Sequence, residues 1–267
     1  DAVLISHMRG HTSDMDVIIS ECKQAKIPLI EDAAHSLGTT WHGNKIGTLG
    51  DAGCFSFQSY KMLNAGEGGI FVTDNAELFA KAVIMSGAYE HNWMKHQGEH
   101  ASFKKWQNKL PLYNMRINNL SAAIIRAQLP ELNKRIEKGR HNHDFTAERL
   151  NRSPWICVPE KLRPETRAPD SIQFNLIDMN SGEIDLFEKI TSLSGLNIQI
   201  FGRTKNNARA FWNWKFLPET FELPKTRKML MTACDVRLPP KLSQDECRAI
   251  SDVILSAIMT IKNGVAA

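Results

Sequence analysis

Asp32 and Lys61 are the residues whose types and settings point to chemistry. Asp32 closes an apolar run, Ile27-Pro28-Leu29-Ile30-Glu31-Asp32-Ala33-Ala34-His35. Lys61 lies within Phe55-Ser56-Phe57-Gln58-Ser59-Tyr60-Lys61-Met62-Leu63-Asn64-Ala65-Gly66-Glu67-Gly68-Gly69. A carboxylate after a strand, then a lysine about thirty residues later and just before a glycine-rich turn, suits pyridoxal 5′-phosphate (PLP) chemistry. In that chemistry the lysine forms a Schiff base, and the carboxylate keeps the pyridine nitrogen protonated so that the ring acts as an electron sink. Taken alone, an Asp after a strand is most often a cap or turn former, and a lysine is usually solvated. The apolar flanks Phe55, Phe57, Met62 and Leu63, followed by Gly66, Gly68 and Gly69, change that balance. Partial burial among them would ready the lysine for imine formation.

These residues need a scaffold, and the pattern around them supplies one. Residues 2–6 form a short apolar run. Ser13-Asp14-Met15-Asp16 reads as a helix start, with Ser13 as the cap. Met15, Ile18, Ile19, Cys22 and Ala25 then follow at helical spacing. Residues 27–30 read as a strand of a parallel sheet covered on both faces. Residues 53–57 and 69–73 read as two more strands, and 75–86 as a helix. This order predicts a doubly wound α/β domain, in which ligands sit beyond the carboxyl ends of the strands. Asp32 is at such an end.

Residues 87–112 are polar, basic and aromatic, and read as a long loop. Residues 118–150 are helical, with a break at Pro130. The prolines at 154, 159, 164 and 169 change the texture, so the boundary is placed near 150: a large domain over 1–150 and a smaller C-terminal α/β domain over 151–267. Within the latter, 172–177 and 197–201 read as strands, 183–194 as a helix and 203–238 as irregular. A full capping box, Ser243-Gln244-Asp245-Glu246, opens a final amphipathic helix.

Composition narrows the function classes. The chain has 267 residues, 42% hydrophobic and 23% charged, with a net charge of +4. That is ordinary for a globular protein and too mild to argue for nucleic acid. No run of eighteen apolar residues suggests a membrane span. The five cysteines form no C-x-x-C pair, and their odd count is a poor disulfide framework, so reduced thiols in a cytoplasmic protein are expected. His91, His96 and His100 are spaced by five and four, without a nearby cysteine; a substrate-covering loop containing His91, Trp93 and His96 is preferred to a metal site. Lys104-Lys105 and residues 203–209 could meet a nucleotide diphosphate, though a charged surface face is the simpler reading.

The spaced set Glu31-Asp32-Ala33-Ala34-His35-Ser36-Leu37-Gly38, Gly47-Thr48-Leu49-Gly50-Asp51, Phe55-Ser56-Phe57 with Lys61 four residues on, and Gly66-Glu67-Gly68-Gly69 resembles the DegT/DnrJ/EryC1/StrS family. These are PLP-dependent aminotransferases of fold type I, acting mostly on nucleotide-linked keto sugars and cyclitol-type rings. Tyr113-Asn114-Met115-Arg116-Ile117, then Ala122-Ala123 and Gln128-Leu129, resemble the family's later motif. The match is clear over about residues 1–150.

The resemblance implies a fold type I large domain with a mixed, mostly parallel sheet. It implies that Lys61 holds the cofactor as a Schiff base and shuttles the proton during transfer. Asp32 would pair with the pyridinium nitrogen, His35 would lie near the ring's 3′-oxygen, and Ser56 would bind the phosphate. Asn114 would reach the phosphate of a neighbouring subunit, implying a homodimer with shared active sites. The amino donor would be glutamate or glutamine. The acceptor would be a keto sugar or keto-cyclitol, in polysaccharide or antibiotic biosynthesis.

There are departures from the family pattern. The large domain would normally begin earlier, so the chain is expected to lack an N-terminal part. That part would hold a glycine-and-hydroxyl loop gripping the phosphate and the residue that stacks on the ring. Tyr60 and Met62 flank the lysine where Thr or Ser and Asn are commoner. The family's sugar 3-dehydratases carry His at the lysine position, so Lys61 argues against that activity. Two alternatives stay open: a catalytically incomplete or regulatory relative on the same scaffold, and another fold type I enzyme such as a lyase or desulfurase.

Overall fold

The structure, a computed structural model, describes residues 1–89, 91–96, 100–204, 207–217 and 222–264, excluding the His100 side chain. The chain divides into two compact units, Asp1–Ile136 with Lys161–Ala168, and Glu137–Glu160 with Pro169–Ala267.

Along the chain, β1 (Val3–Ser6) leads to α1 (Met15–Ala25), whose apolar spacing matches the expectation. The N-cap is Asp14, not the expected Ser13: the Asp14 carboxylate accepts from the Val17 N–H. Next come β2 (Leu29–Asp32), β3 (Thr40–Trp41), β4 (Asn44–Lys45), β5 (Ala52–Ser56) and β6 (Gly69–Val72). Asn75 caps α2 (Ala76–Met85) by accepting from Glu77 and Leu78 N–H groups.

The expected long loop over 87–112 is corrected. It holds a 3-10 turn at Asn92–Lys95 and the helix α3 (His100–Trp106). Its aromatic residues are the reason, because Trp93 and Phe103 are buried against α2 residues Ala80, Val83 and Ile84. A lysine-rich segment thus folds around two apolar anchors, which sequence polarity conceals.

The chain continues with α4 (Asn119–Gln128), a 3-10 turn containing Pro130, and α5 (Leu132–Leu150). Then follow β7 (Ile156–Cys157), β8 (Glu165–Thr166), β9 (Ser171–Leu176), α6 (Ser181–Leu193), β10 (Gln199–Ile200), α7 (Pro224–Leu230), β11 (Ala233–Arg237) and α8 (Gln244–Lys262). The expected irregular stretch over 203–238 is corrected as well, since it contains α7 and β11. β11 pairs on both sides, with β10 and β9.

In the first unit the main sheet runs β1-β2-β5-β6. The β1/β2 and β2/β5 pairs are parallel and β5/β6 is antiparallel. Ser6, Asp32 and Cys54 are in register across the three parallel strands, at or near their carboxyl ends. Met15, Cys22, Leu29, Ala33, Trp41 and Ile46 form a core beneath them. The expected two-sided cover holds for β2 but not for the outer strands, where Val3, Leu4, Ile70 and Phe71 are exposed.

In the second unit the sheet runs β10-β11-β9-β7 and is antiparallel throughout. Ile172, Phe174 and Leu176 alternate inward from β9, and Phe187 of α6 with Ile254 and Ile258 of α8 join the same core. The expected capping box of α8 is present: Ser243 Oγ accepts from the Glu246 N–H, and the Glu246 carboxylate accepts from the Ser243 N–H.

Candidate active site

Asp32 is the last residue of β2. Its backbone carbonyl accepts from the His7 N–H (3.0 Å), which continues the β1/β2 ladder by one rung. Its carboxylate has a donor on each oxygen. Ser6 Oγ donates to Oδ2 at 2.5 Å, and the Ala34 N–H donates to Oδ1 at 3.1 Å.

The chain then turns tightly. The Ala33 N–H donates to the Cys54 carbonyl, the Ser36 N–H to the Ala33 carbonyl, and Ser36 Oγ to the His7 carbonyl (2.7 Å). This turn presents His35, whose Nε2 is 3.0 Å from Lys61 Nζ. With Lys61 as an ammonium, which can only donate, the imidazole is the acceptor at Nε2. Two of the groups singled out from sequence, separated by 26 positions, therefore meet. The third, Asp32, heads the turn that carries His35.

Lys61 is half-buried, between the buried side chains of Phe57, Met62 and Leu63. Its loop is closed by backbone hydrogen bonds. The Phe57 N–H donates to the Gly68 carbonyl, the Ser59 N–H to Gly66, the Ala65 N–H to Phe57 and the Lys61 N–H to Gln58. Gly66 and Gly68 sit at φ of 83° and 139°, which side chains with a Cβ rarely adopt, so the glycine-rich turn is a backbone requirement.

Two helical residues clamp the same loop, and sequence reasoning gave neither a role. Gln128 Nε2 donates to the Asn64 carbonyl (2.7 Å). Arg135 Nη1 donates to the Met62 carbonyl (3.1 Å) and to Gln128 Oε1 (2.8 Å). The bonds to the Asn64 and Met62 carbonyls span 64 and 73 residues, so no local pattern reveals them.

Glu31, one residue before Asp32, points to the opposite side of the strand and is fully buried. Its carboxylate accepts from His7 Nε2 (3.1 Å) and from the N–H groups of Gly47 (2.8 Å), Leu49 (2.6 Å) and Gly50 (2.7 Å). Burial alone would raise its pKa; the His7 ring and the three N–H groups outweigh burial and hold the carboxyl below its ordinary value. The Gly47–Gly50 segment, recognised in sequence only as a motif, is thus anchored to the strand that carries Asp32.

The other expected site residues are Ser56, Asn114, His91, Trp93 and His96. Ser56 ends β5, and its Oγ accepts from the Gln58 N–H (3.3 Å). Asn114 lies exposed in the coil that precedes α4. His91 and His96 flank the 3-10 turn and are exposed, whereas Trp93 is buried and stacks on Phe103 with ring centroids 5.2 Å apart. Trp93 is therefore a packing residue of its own unit rather than an open loop side chain. Lys105 pairs with Glu77, and Arg203 with Asp185 and Glu188, which suits charged surface faces. The Cys54 thiol is pushed up by burial and by the Asp32 carboxylate, which leaves it little thiolate.

Comparison with known proteins places this geometry in a family. The chain is 35% identical over 131 residues to the 3-amino-5-hydroxybenzoate synthase of Amycolatopsis mediterranei, covering 49% of this chain and 32% of that protein. It is 34% identical to the spore coat polysaccharide biosynthesis protein SpsC of Bacillus subtilis, covering 98% of this chain and 67% of that protein. Among solved structures, the E. coli GDP-4-keto-6-deoxy-D-mannose-3-dehydratase with bound hydrated PLP superposes with a TM-score of 0.78 at 20% identity, over 95% of this chain and 67% of that one. That likeness shows the fold, which is fold type I. The chain spans about a third of the length of the first curated relatives it matches. The sequence profile of the DegT/DnrJ/EryC1/StrS aminotransferase family matches residues 1–254, and the chain belongs to that family, whose aminotransferases are PLP-dependent.

Proposed function

We propose that the protein is a PLP-dependent aminotransferase that moves an amino group from glutamate or glutamine to a keto sugar, nucleotide-linked, or to a keto-cyclitol. The observation that carries this reading is the 3.0 Å approach of Lys61 Nζ to His35 Nε2, on the turn headed by Asp32. The donor set fits the cofactor: a half-buried amine, an imidazole beside it, and a carboxylate whose outer lone pairs are open. When bound, PLP supplies an electron sink for charge developing at the substrate carbon.

The chain's own residues do the rest. Lys61 would hold the cofactor through Nζ and carry a proton at that atom. Asp32 would serve as counter-charge to the ring nitrogen. His35 would hold the lysine in place and meet the ring's 3′-oxygen. Ser56 and, from a second copy, Asn114 would bind the phosphate. The exposed apolar residues around Asn114, namely Leu112, Tyr113, Met115, Ile117 and Leu120, support a homodimer, since such a patch favours burial against a partner. Free thiols at all five cysteines support a reducing, cytoplasmic setting, and no helix among the described residues is long and apolar enough to cross a membrane. A desulfurase reading is disfavoured, because it would need a reactive thiolate and Cys54 is pushed the other way.

The test is PLP titration, borohydride reduction and peptide mass mapping. The expected result is a reduced pyridoxyl adduct on Lys61. Lys61→Ala should abolish both the adduct and amino transfer to a panel of keto sugars and keto-cyclitols. Turnover retained by Lys61→Ala would overturn the assignment.

A further inference from the structure

Ser6 drew no attention in sequence; it is the last residue of an ordinary apolar strand. In the structure its hydroxyl is one of two donors to the Asp32 carboxylate, 2.5 Å from Oδ2, while the Ala34 N–H holds Oδ1. The parallel register places Ser6 directly beside Asp32, so no loop movement is needed to make the contact. With a donor on each oxygen, the plane of the carboxylate is set by the fold before any ligand arrives. Each oxygen keeps a further lone pair for a second donor.

We propose that Ser6 is a positioning residue: its hydroxyl fixes the orientation of the Asp32 carboxylate for the pyridine nitrogen of PLP. The inference rests on the cofactor reading above and extends it to a residue outside the recognised motifs. Its physical content is pre-organisation. A carboxylate free to rotate must be ordered when the cofactor binds, and that cost appears as weaker binding. Ser6 is exposed and its side chain is small, so the fold itself should be indifferent to the hydroxyl.

The experiment compares Ser6→Thr with Ser6→Val, two side chains of nearly the same shape that differ in the hydroxyl. Both suit a β-strand. PLP is titrated by absorbance against the wild type and each variant, the Lys61 adduct is mapped after borohydride, and thermal midpoints are measured without cofactor. Ser6→Thr should bind PLP like the wild type. Ser6→Val should bind it about tenfold more weakly, the scale of one hydrogen bond to a charged group, with an unchanged cofactor-free midpoint. Equal PLP affinity for the two variants would overturn the inference. So would a Ser6→Val loss matched by a fall in the cofactor-free midpoint, because the role would then be structural. A wild type that gives no Lys61 adduct overturns the cofactor reading and the Ser6 inference with it; an adduct on the wild type with indistinguishable variants overturns the Ser6 inference alone.

Discussion

The two units achieve order by different means. In the second, Ile172, Phe174, Phe187, Ile200, Val236, Leu238, Ile254 and Ile258 form one apolar core, and the strands alternate simply around it. In the first, the apolar cores are smaller and separate, and Val3, Leu4, Ile70 and Phe71 stay exposed on the outer strands. Hydrogen-bonded loops compensate there: Glu31 holds the 47–50 segment, the turn after Asp32 is tied to His7, and Gln128 with Arg135 clamps the lysine loop. Non-directional packing suffices for a scaffold. A site needs directional bonds, because its side chains must be held to a fraction of an ångström.

The comparison can be broken at its strongest points first. Phe187→Ala empties a fully buried site on α6 and should cost about 4 kcal/mol in urea unfolding of the second unit, independent of pH. A loss below about 1 kcal/mol would show that the core there is less decisive than its burial implies.

Glu31→Gln should cost about 3 kcal/mol, and hydrogen exchange should place the loss in residues 29–56 of the first unit. This cost should depend on pH. The Glu31 carboxyl lies below its ordinary value of 4.5 when folded, because the His7 ring and backbone N–H groups outweigh burial. Its stabilisation is present above that value and fades as pH falls through the folded one. Unfolding measured from pH 7 down to pH 3 should show the variant and the wild type converging in acid. A gap that stays constant or widens would refute the carboxylate as the source.

Gln128→Ala removes the clamp on Asn64 and leaves Arg135 one partner fewer. It should cost between about 1 and 2 kcal/mol and slow adduct formation at Lys61 more than it lowers the thermal midpoint. Equal effects on both would reduce the clamp to ordinary packing. The smallest expected effect is Ser243→Ala at the N-cap of α8, about 1 kcal/mol, with no effect on PLP uptake.

Much of this was readable from residue order, and the failures have physical causes. α1, α2 and α8 show the helical period because each buries one face. β2 shows as an unbroken apolar run because its neighbours cover it. β11 was hidden because a buried Asp235, which accepts from Gln173, interrupts its apolar alternation. α3 was hidden because, among its described side chains, only Phe103 is fully buried. Asp32, His35 and Lys61 stand out in sequence as candidates because local motifs surround them. Ser6 and Arg135 had no such mark, and the motif containing Gln128 gave no hint of its clamp, because the contacts to Asp32, Met62 and Asn64 join residues far apart along the chain. The burial of Trp93 was concealed for the opposite reason, since a loop-like setting masked a core side chain.

Gly53 carries a consequence for inheritance. In β5 it faces the Gly47 carbonyl so closely that an added Cβ would lie 1.9 Å from the oxygen. Every missense change at this codon installs a Cβ, and each would push the 47–50 segment off Glu31. Natural variation there should be confined to synonymous changes. In a saturation library the position should be depleted as sharply as Lys61, but for a different reason: Lys61 variants would accumulate as intact, inactive protein, whereas Gly53 variants would be lost as protein.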